Sequence, residues 1–424
     1  MITESDFVGD RRRVAYVSLG MLVAVNVMSQ LDRQIMSVLI EPIRRDLALS
    51  DTQMGVITGL AFTVFYILAG LPLGRLADRT NRRNMIVAVL SFWSLMTAAC
   101  GLARGYWTLF AARVGVGIGE SGCAPAAQSI LADTFPAERL GRALSTYQMA
   151  IPIGILIGLS GGGWLSDHFT WRQVFMIVGL PGLAVATLAF FVIREPARNP
   201  RDQPEPATVV LEDLLKIPTI RQLALALSIQ TLTLAATATF NFTFMIRIHG
   251  LSGAEAGLIT GVIVGVAGAF GTYLGGDLGD RLARRDPRWR IGCLGVGAVV
   301  SIPFSLTAYL SESLPVAIAG LTLGTIGSYM YAGAGHAVSQ SLVTPRRRAM
   351  TAAAMLFVMN LFGYGGGTVV SGAISDAFGG EEGIRYSLAV MQIFLVWAGV
   401  HYALAMRTYR QDLAATMPGA DAAG

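Results

Sequence analysis

Long apolar stretches alternate with short polar ones along the whole chain, and each apolar stretch is about the length of a membrane span. A helix needs about 20 apolar residues to cross a bilayer. Twelve such stretches occur, at residues 14–40, 53–73, 85–103, 106–132, 143–166, 173–193, 220–246, 255–276, 291–311, 314–343, 349–375 and 386–406. The pattern predicts an all-α integral membrane protein. The first stretch is too long for a cleaved signal and lacks a small-residue cleavage site. The longest polar interruption, 194–219, carries Pro196, Pro200, Pro204, Pro206 and Pro218 among mixed charges and reads as a linker. Two six-helix bundles follow, 1–193 and 220–408, with the linker at 194–219 and a tail at 409–424. Within the linker, Val209–Ile217 is expected to form a short amphipathic helix on the inner surface.

Composition agrees with the pattern. Of 424 residues, 53% are hydrophobic and 14% charged, against about 25% charged in soluble domains. The net charge of +5 does not point to nucleic acid, because the arginines lie in short loops where charge orients a membrane protein. With both termini placed inside, 24 of the 32 basic residues fall on the inner side, counting Arg221 at a segment edge, and 6 fall outside. That bias predicts a multi-pass inner-membrane protein with both termini cytoplasmic. Cys100, Cys123 and Cys293 sit apart in apolar runs and suggest neither a disulfide framework nor a metal site. No metal or cofactor is expected. Gly117-Ile-Gly119-Glu-Ser-Gly122 matches a dinucleotide fingerprint but follows no strand, and no P-loop is present.

The two halves repeat each other. Gly74-Arg-Leu-Ala-Asp78-Arg79-Thr-Asn-Arg82-Arg83 recurs as Gly276-Asp-Leu-Gly-Asp280-Arg281-Leu-Ala-Arg284-Arg285. A shorter motif, Gly-x-Leu/Ile-Ser-Asp, closes the fifth segment at Gly163–Asp167 and the eleventh at Gly372–Asp376. Segments 2, 5, 8 and 11 therefore carry related endings, as expected of two halves each built from two three-helix repeats. The long motif resembles the loop signature of the major facilitator superfamily, with Asn81 and Ala283 where that signature has its second glycine. The resemblance implies the two-bundle fold and a charge clamp on the inner face that favours an outward-open state. The gating set it implies is Gly74, Asp78, Arg79, Arg82, Arg83, Asp280 and Arg281, with Asp133, Arg139 and Arg142 from the run Asp133-Thr-Phe-Pro136-Ala-Glu138-Arg139-x-x-Arg142. Gly154-x-x-x-Gly158-Leu159-x-x-Gly162-Gly163 is similar to that superfamily's antiporter motif with Leu159 in place of its proline.

Within the superfamily, Asn26-Val-Met-Ser-Gln-Leu-Asp32-Arg33 and Arg113-x-Gly-x-Gly-x-Gly-Glu120-Ser resemble the spinster family. That resemblance implies a proton-driven carrier of a lysolipid or a sphingolipid; the partners expected are that amphiphile, protons and membrane lipid, and the protein is expected to be a monomer. A carrier of a small organic anion such as a sugar acid, or of a drug, shares part of the pattern.

Charge inside the spans is confined to four residues, Asp32 and Arg33 in the first segment and Arg113 and Glu120 in the fourth, apart from Arg221 and Glu255 at segment edges. Each charge at mid-membrane costs about 2.5–3.5 kcal/mol, so these four must pair, meet water or neutralise. Residue counts from the outer ends place Asp32 and Arg113 at similar depth and predict that they pair. Glu120 is expected nearer the midplane, within reach of Arg33 or Gln30. Intramembrane ionisable groups mark transport pathways, and desolvation favours a neutral carboxyl, so Asp32 and Glu120 are the proton-coupling candidates. Arg33, Arg113, Asn26 and Gln30 are candidates for holding an anionic head group. The second half offers uncharged groups, Asn241, His336, Asn360 and Tyr364, beside Phe240, Phe244, Phe357 and Phe362. A fixed ion-pair network that only locks the two helices is the simpler reading of the four charges. An enzyme would need a nucleophile–base pair or metal cluster, and the four dispersed histidines supply neither. A lipid-scrambling channel in the same fold is the remaining rival.

Overall fold

The computed structural model describes residues 9–197, 213–344 and 347–415. Twelve helical spans follow one another. They are α1 (Asp10–Val38), α2 (Asp51–Gly55, a π turn at Val56–Leu60, then Ala61–Arg79), α3 (Arg82–Cys100) and α4 (Tyr106–Ser121 and Cys123–Thr134). Next come α5 (Ala137–Gln148 and Ala150–His168), α6 (Trp171–Val192), α7 (Pro218–His249) and α8 (Gly253–Val262, a π turn at Ile263–Ala267, then Gly268–Ala283). The last four are α9 (Trp289–Leu310), α10 (Leu314–Tyr329 and Tyr331–Ser341), α11 (Arg348–Val358, a π turn at Met359–Tyr364, then Gly365–Phe378) and α12 (Gly383–Ala415). Ten of these are individually long and apolar enough to cross a membrane. α4 and α10 reach twelve only when their broken halves are counted together.

Two of the three breaks, in α4 and α5, have a local cause. Pro125 and Pro152 each lie three residues beyond a break, at Gly122 and Met149. Proline removes one helical hydrogen bond and crowds the carbonyl four residues earlier. Capping boxes, Ser50 with Gln53 and Thr170 with Gln173, start α2 and α6 after short connectors. The connector after α1 is tied down by Asp46, which accepts from Arg172 Nη1 at 2.6 Å and from Trp171 Nε1 at 3.2 Å. The Arg172 hydrogen bond holds the Asp46 carboxyl below the usual carboxylate range.

Two departures from the sequence reading concern helix ends. α5 begins at Ala137, because an amphipathic turn precedes the apolar run. α12 runs on to Ala415, so the first seven residues of the expected tail are helical. Of the expected linker helix, residues 213–216 are helical and 209–212 lie outside the described residues.

Two compact units emerge, Met1–Asp202 with Leu251–Gly261, and Gln203–Gly250 with Val262–Gly424. In the first, α1 packs against α5 and α6, α2 against α4, and α3 against α4 and α6 around Leu22, Val25, Leu90, Trp93, Val116 and Ile130. In the second, α7 packs on α11 and α12, and α9 on α10 and α12. The glycine stripe of α5 explains its closeness to α1: a Cβ at Gly154 would lie 2.5 Å from Gln30 Cβ, and one at Gly158 2.7 Å from Gln34 Cβ.

The first turns of α8 belong with the first unit through the short motif that closes α5. Asp167 accepts from the backbone N–H of Gly253 at 2.7 Å and of Ala254 at 2.8 Å. These are otherwise orphan donors at a helix start, where a carboxylate also meets the favourable end of the helix dipole. A Cβ at Gly163 would sit 2.1 Å from the Gly253 carbonyl oxygen, so Gly163→Val forces the two backbones apart. In that background, a cysteine at Ala256, which is 0% exposed, should react with a thiol reagent about tenfold faster or more. The native cysteines are buried and add little background. An unchanged rate means that this contact does not hold the segment.

Candidate substrate and coupling site

Ser29 and Arg33 are four residues apart on α1 and so share a face. Both reach the same oxygen of Glu120 on α4: Ser29 Oγ and Arg33 Nε each donate to Oε2 at 2.8 Å. The Glu120 side chain is fully buried, whereas that of Arg33 is 32% exposed. The Arg33 guanidinium also lies over two stacked rings of α2, 4.8 Å from Phe62 and 5.0 Å from Tyr66. A cation over aromatic faces gains electrostatic attraction without giving up its charge. Arg33 therefore has one ionic partner and one aromatic shelf, and it can stay on the shelf if the ionic partner is neutralised.

Arg113 and Asp32 do not form the expected ion pair. The Arg113 guanidinium lies over Phe62 at 5.3 Å, while Asp32 turns toward α3 and accepts from Thr97 Oγ1 at 3.3 Å. Counting residues from a helix end fixes depth but not rotation. Asp32 and Arg33 are adjacent and point about 100° apart, so Arg33 meets Glu120 and Asp32 meets α3. Asp32 stays within electrostatic reach of both Arg113 and Glu120.

Asp32 Oδ1, Trp93 Nε1, Arg113 Nε and Glu120 Oε1 are four of the ten buried polar atoms among the described residues that lack a well-formed hydrogen bond, although the Trp93 indole N–H still lies close enough to the Asp32 carboxyl to act on it. Unsatisfied buried polar atoms are rare in native folds, and each calls for a reason. Four of them gather where α1, α3 and α4 meet, which marks this region as an incompletely bonded polar cluster.

The other candidates are more dispersed. Asn26 Nδ2 donates to the Tyr147 carbonyl at 3.2 Å, which secures the break in α5. Gln30 lays its stem over Gly154. In the second unit, Asn241 Oδ1 accepts from Tyr309 at 2.9 Å, and Gln230 bridges the Ser328 carbonyl and the Tyr402 hydroxyl. Gln230, Thr237, Asn241, Tyr309 and Gln392 line a cavity of about 30 Å³, room for one or two waters. Asn360 turns back to its own helix at the Leu356 carbonyl, 2.8 Å away, and Tyr364 is exposed at the end of the α11 π turn. The side chains of His336 and Asp78 lie outside the described residues.

Of the gating set, Arg82 is a buried hub of the first unit. Its guanidinium binds Asp133, Glu195 Oε1 at 2.7 Å, both oxygens of Ser129, and the Pro196 carbonyl at 3.1 Å. Arg83 donates its backbone N–H to Glu195 and lays its guanidinium over Phe190. Gly74 is half-buried, and Arg79 and Arg142 are exposed; Arg139 is partly buried and keeps a partner of its own. The second copy is built differently. Arg281 pairs with Asp277 at 3.0 Å, and Asp280 pairs with Arg290 at 3.5 Å, all near the surface.

Comparison with known proteins follows the same lines. The model of the Major Facilitator Superfamily matches residues 22–367. The chain belongs to the major facilitator superfamily. This transporter is 31% identical to a bacterial homolog of the human lysosomal transporter Spinster, whose crystal structure in an inward-facing, unoccupied conformation matches 94% of this chain and 98% of its own at a TM-score of 0.86. It is 32% identical over 415 residues to an MFS-type efflux pump of Mycolicibacterium smegmatis, covering 96% of this chain and 95% of the pump. It is 27% identical over 376 residues to protein spinster homolog 1 of Xenopus tropicalis, covering 83% and 71%. The transporter is thus of the spinster type within the superfamily and is not an enzyme.

Sequence reasoning missed Ser29, Phe62, Tyr66, Trp93 and Thr97. Two signals were available: Ser29 stands four residues before Arg33, and Phe62 and Tyr66 form an i, i+4 aromatic pair on one face of α2.

Proposed function

We propose that this transporter is a proton-coupled carrier of an amphiphilic anion of the lysolipid or sphingolipid type, working as a monomer by alternating access between its two halves, with both termini cytoplasmic. The observation that carries this reading is the Arg33–Glu120 pair on its aromatic shelf. A deprotonated Glu120 occupies Arg33. Protonation removes the charge that holds the pair, and the guanidinium, kept in place by Phe62 and Tyr66, becomes available to a phosphate or carboxylate head group. The substrate and the carboxylate thus compete for one cation, and the proton decides which of them binds. Asp32, close to Arg113 and Glu120, is the second group in the relay. Tyr66, the partly exposed ring of the pair, gives an acyl or sphingoid chain an apolar surface next to the cation, which a sugar acid would not use.

The test is transport in proteoliposomes. An imposed pH gradient should drive concentrative uptake of a labelled lysophospholipid, and a protonophore should collapse it. Uptake of a sugar acid instead, or lipid movement that only follows its own gradient, overturns the reading.

A further inference from the structure

A groove on the outside of the second unit has no part in the mechanism above. It runs between α9 and α12 and encloses about 350 Å³, with Gly292, Gly295, Val296, Val299, Gly399 and Ala403 along its walls. Small residues on both helices make it concave. At one end Trp289 and Met406 converge, since a Cβ at Gly292 would lie 2.9 Å from the Trp289 ring and 3.0 Å from the Met406 methyl. From Trp289 to Val300 the groove follows α9 for about 17 Å, at 1.5 Å per residue. That is about half the ~30 Å hydrocarbon thickness of a bilayer, the reach of an acyl chain in one leaflet.

The Trp289 end is strongly basic. Arg284, Arg285, Arg288 and Arg290 precede or adjoin Trp289, and Arg407 and Arg410 follow Met406. Acidic neighbours neutralise only part of this charge. Asp286 pairs with Arg410 at 3.0 Å and Asp280 with Arg290 at 3.5 Å. Arg284, Arg285 and Arg407 have no ion-pair partner among the described residues; Arg288 forms no direct ion pair, though Asp286 accepts its backbone N–H and lies within electrostatic reach of its charge, and Arg288 Nε is buried without a hydrogen-bond partner. An apolar channel one leaflet long, with a tryptophan at its mouth and unpaired arginines beyond, has the form of a phospholipid site. Tryptophan favours the headgroup level, and basic pockets between spans bind anionic head groups.

We propose that the α9–α12 groove holds one anionic membrane phospholipid, its acyl chain along Gly292, Gly295 and Gly399 and its phosphate at Arg288 and Arg407. The site lies within the second unit and shares no residue with the Arg33–Glu120 cluster.

Thermal unfolding of the full chain in detergent tests this, with added phosphatidylglycerol or phosphatidylcholine of matched acyl chains, together with native mass spectrometry of the bound lipid. Phosphatidylglycerol should raise Tm by several degrees and bind with about tenfold or greater preference, roughly what two arginines contribute. Arg288→Gln with Arg407→Gln should remove that preference while both lipids still bind. Ala403→Phe, at an exposed lining position, should reduce binding of both. Glu120→Gln should keep the full preference, which separates this site from the coupling site. Equal effects of the two lipids on the native chain overturn the proposal, and that comparison decides the matter even where a variant does not fold. An unchanged preference in the double arginine variant also overturns it.

Discussion

Glu120→Gln leaves a folded carrier whose transport no longer responds to pH. The amide keeps the shape of the carboxylate and can still accept from Ser29 and Arg33, so the geometry at 2.8 Å is preserved. What disappears is the charge that Arg33 compensates and the proton it exchanges. Gradient-driven uptake should fall by about tenfold or more, while substrate binding at fixed pH persists or strengthens, because no carboxylate competes with the anionic head group for Arg33. Arg33→Ala acts in the opposite way. A hydrogen bond to a charged group contributes about 1.5–3 kcal/mol, so affinity for an anionic head group should drop roughly 10–100-fold. It also strands a fully buried carboxylate, and removing one partner of a buried pair is the costly direction. Arg33 is one-third exposed and Glu120 is not, so Arg33→Ala should lower Tm more than Glu120→Gln. The measurements are binding by scintillation proximity and uptake across a pH series in proteoliposomes. A pH profile unchanged in Glu120→Gln removes it from coupling, and unaltered affinity in Arg33→Ala removes that residue from the site.

Arg82→Ala should be the most damaging single change for stability. The side chain is 2% exposed and joins the start of α3 to the end of α4 and to the segment after α6. Loss of a buried, multiply bonded guanidinium costs about 3–5 kcal/mol. Arg82→Lys should recover little, because a single ammonium cannot replace a planar fork that binds carboxylates and carbonyls together. The readout is the Tm of purified protein in detergent, compared with Arg284→Ala at the matching position of the second copy. Arg284 is exposed, and its loss should shift Tm little. Equal shifts would mean that burial at Arg82 carries no special weight.

The contrast between the two copies shows what a sequence makes legible. Their common spelling revealed the repeat and the helix order, since both depend on spacing alone. It did not reveal that one arginine becomes a buried hub while its mate stays in solvent, because that depends on a distant Glu195 and on Ser129. The charged site behaves likewise. That Asp32, Arg33, Arg113 and Glu120 matter follows from the cost of charge in a membrane. Depth along the helices brought Glu120 within reach of Arg33 or Gln30 without choosing between them, whereas the Asp32–Arg113 pair failed because azimuth is set by packing. Phe62 and Tyr66 escaped notice because an aromatic pair in an apolar helix looks like any other lipid-facing residue until its neighbours are known.

The π turn at Val56–Leu60 bears on how that aromatic shelf came to be aimed. A π turn accommodates one residue more than an α-helix of the same rise needs. Deleting that residue would restore a regular helix and swing everything beyond it by about 100° relative to what comes before. Phe62 and Tyr66 begin two residues past the turn, so their direction depends on an insertion rather than on any side chain's identity. α8 and α11 carry the same kind of insertion. In these three helices, length changes of a single residue re-aim whole faces, a route by which carriers of this architecture can exchange one set of contacts for another without altering their cores.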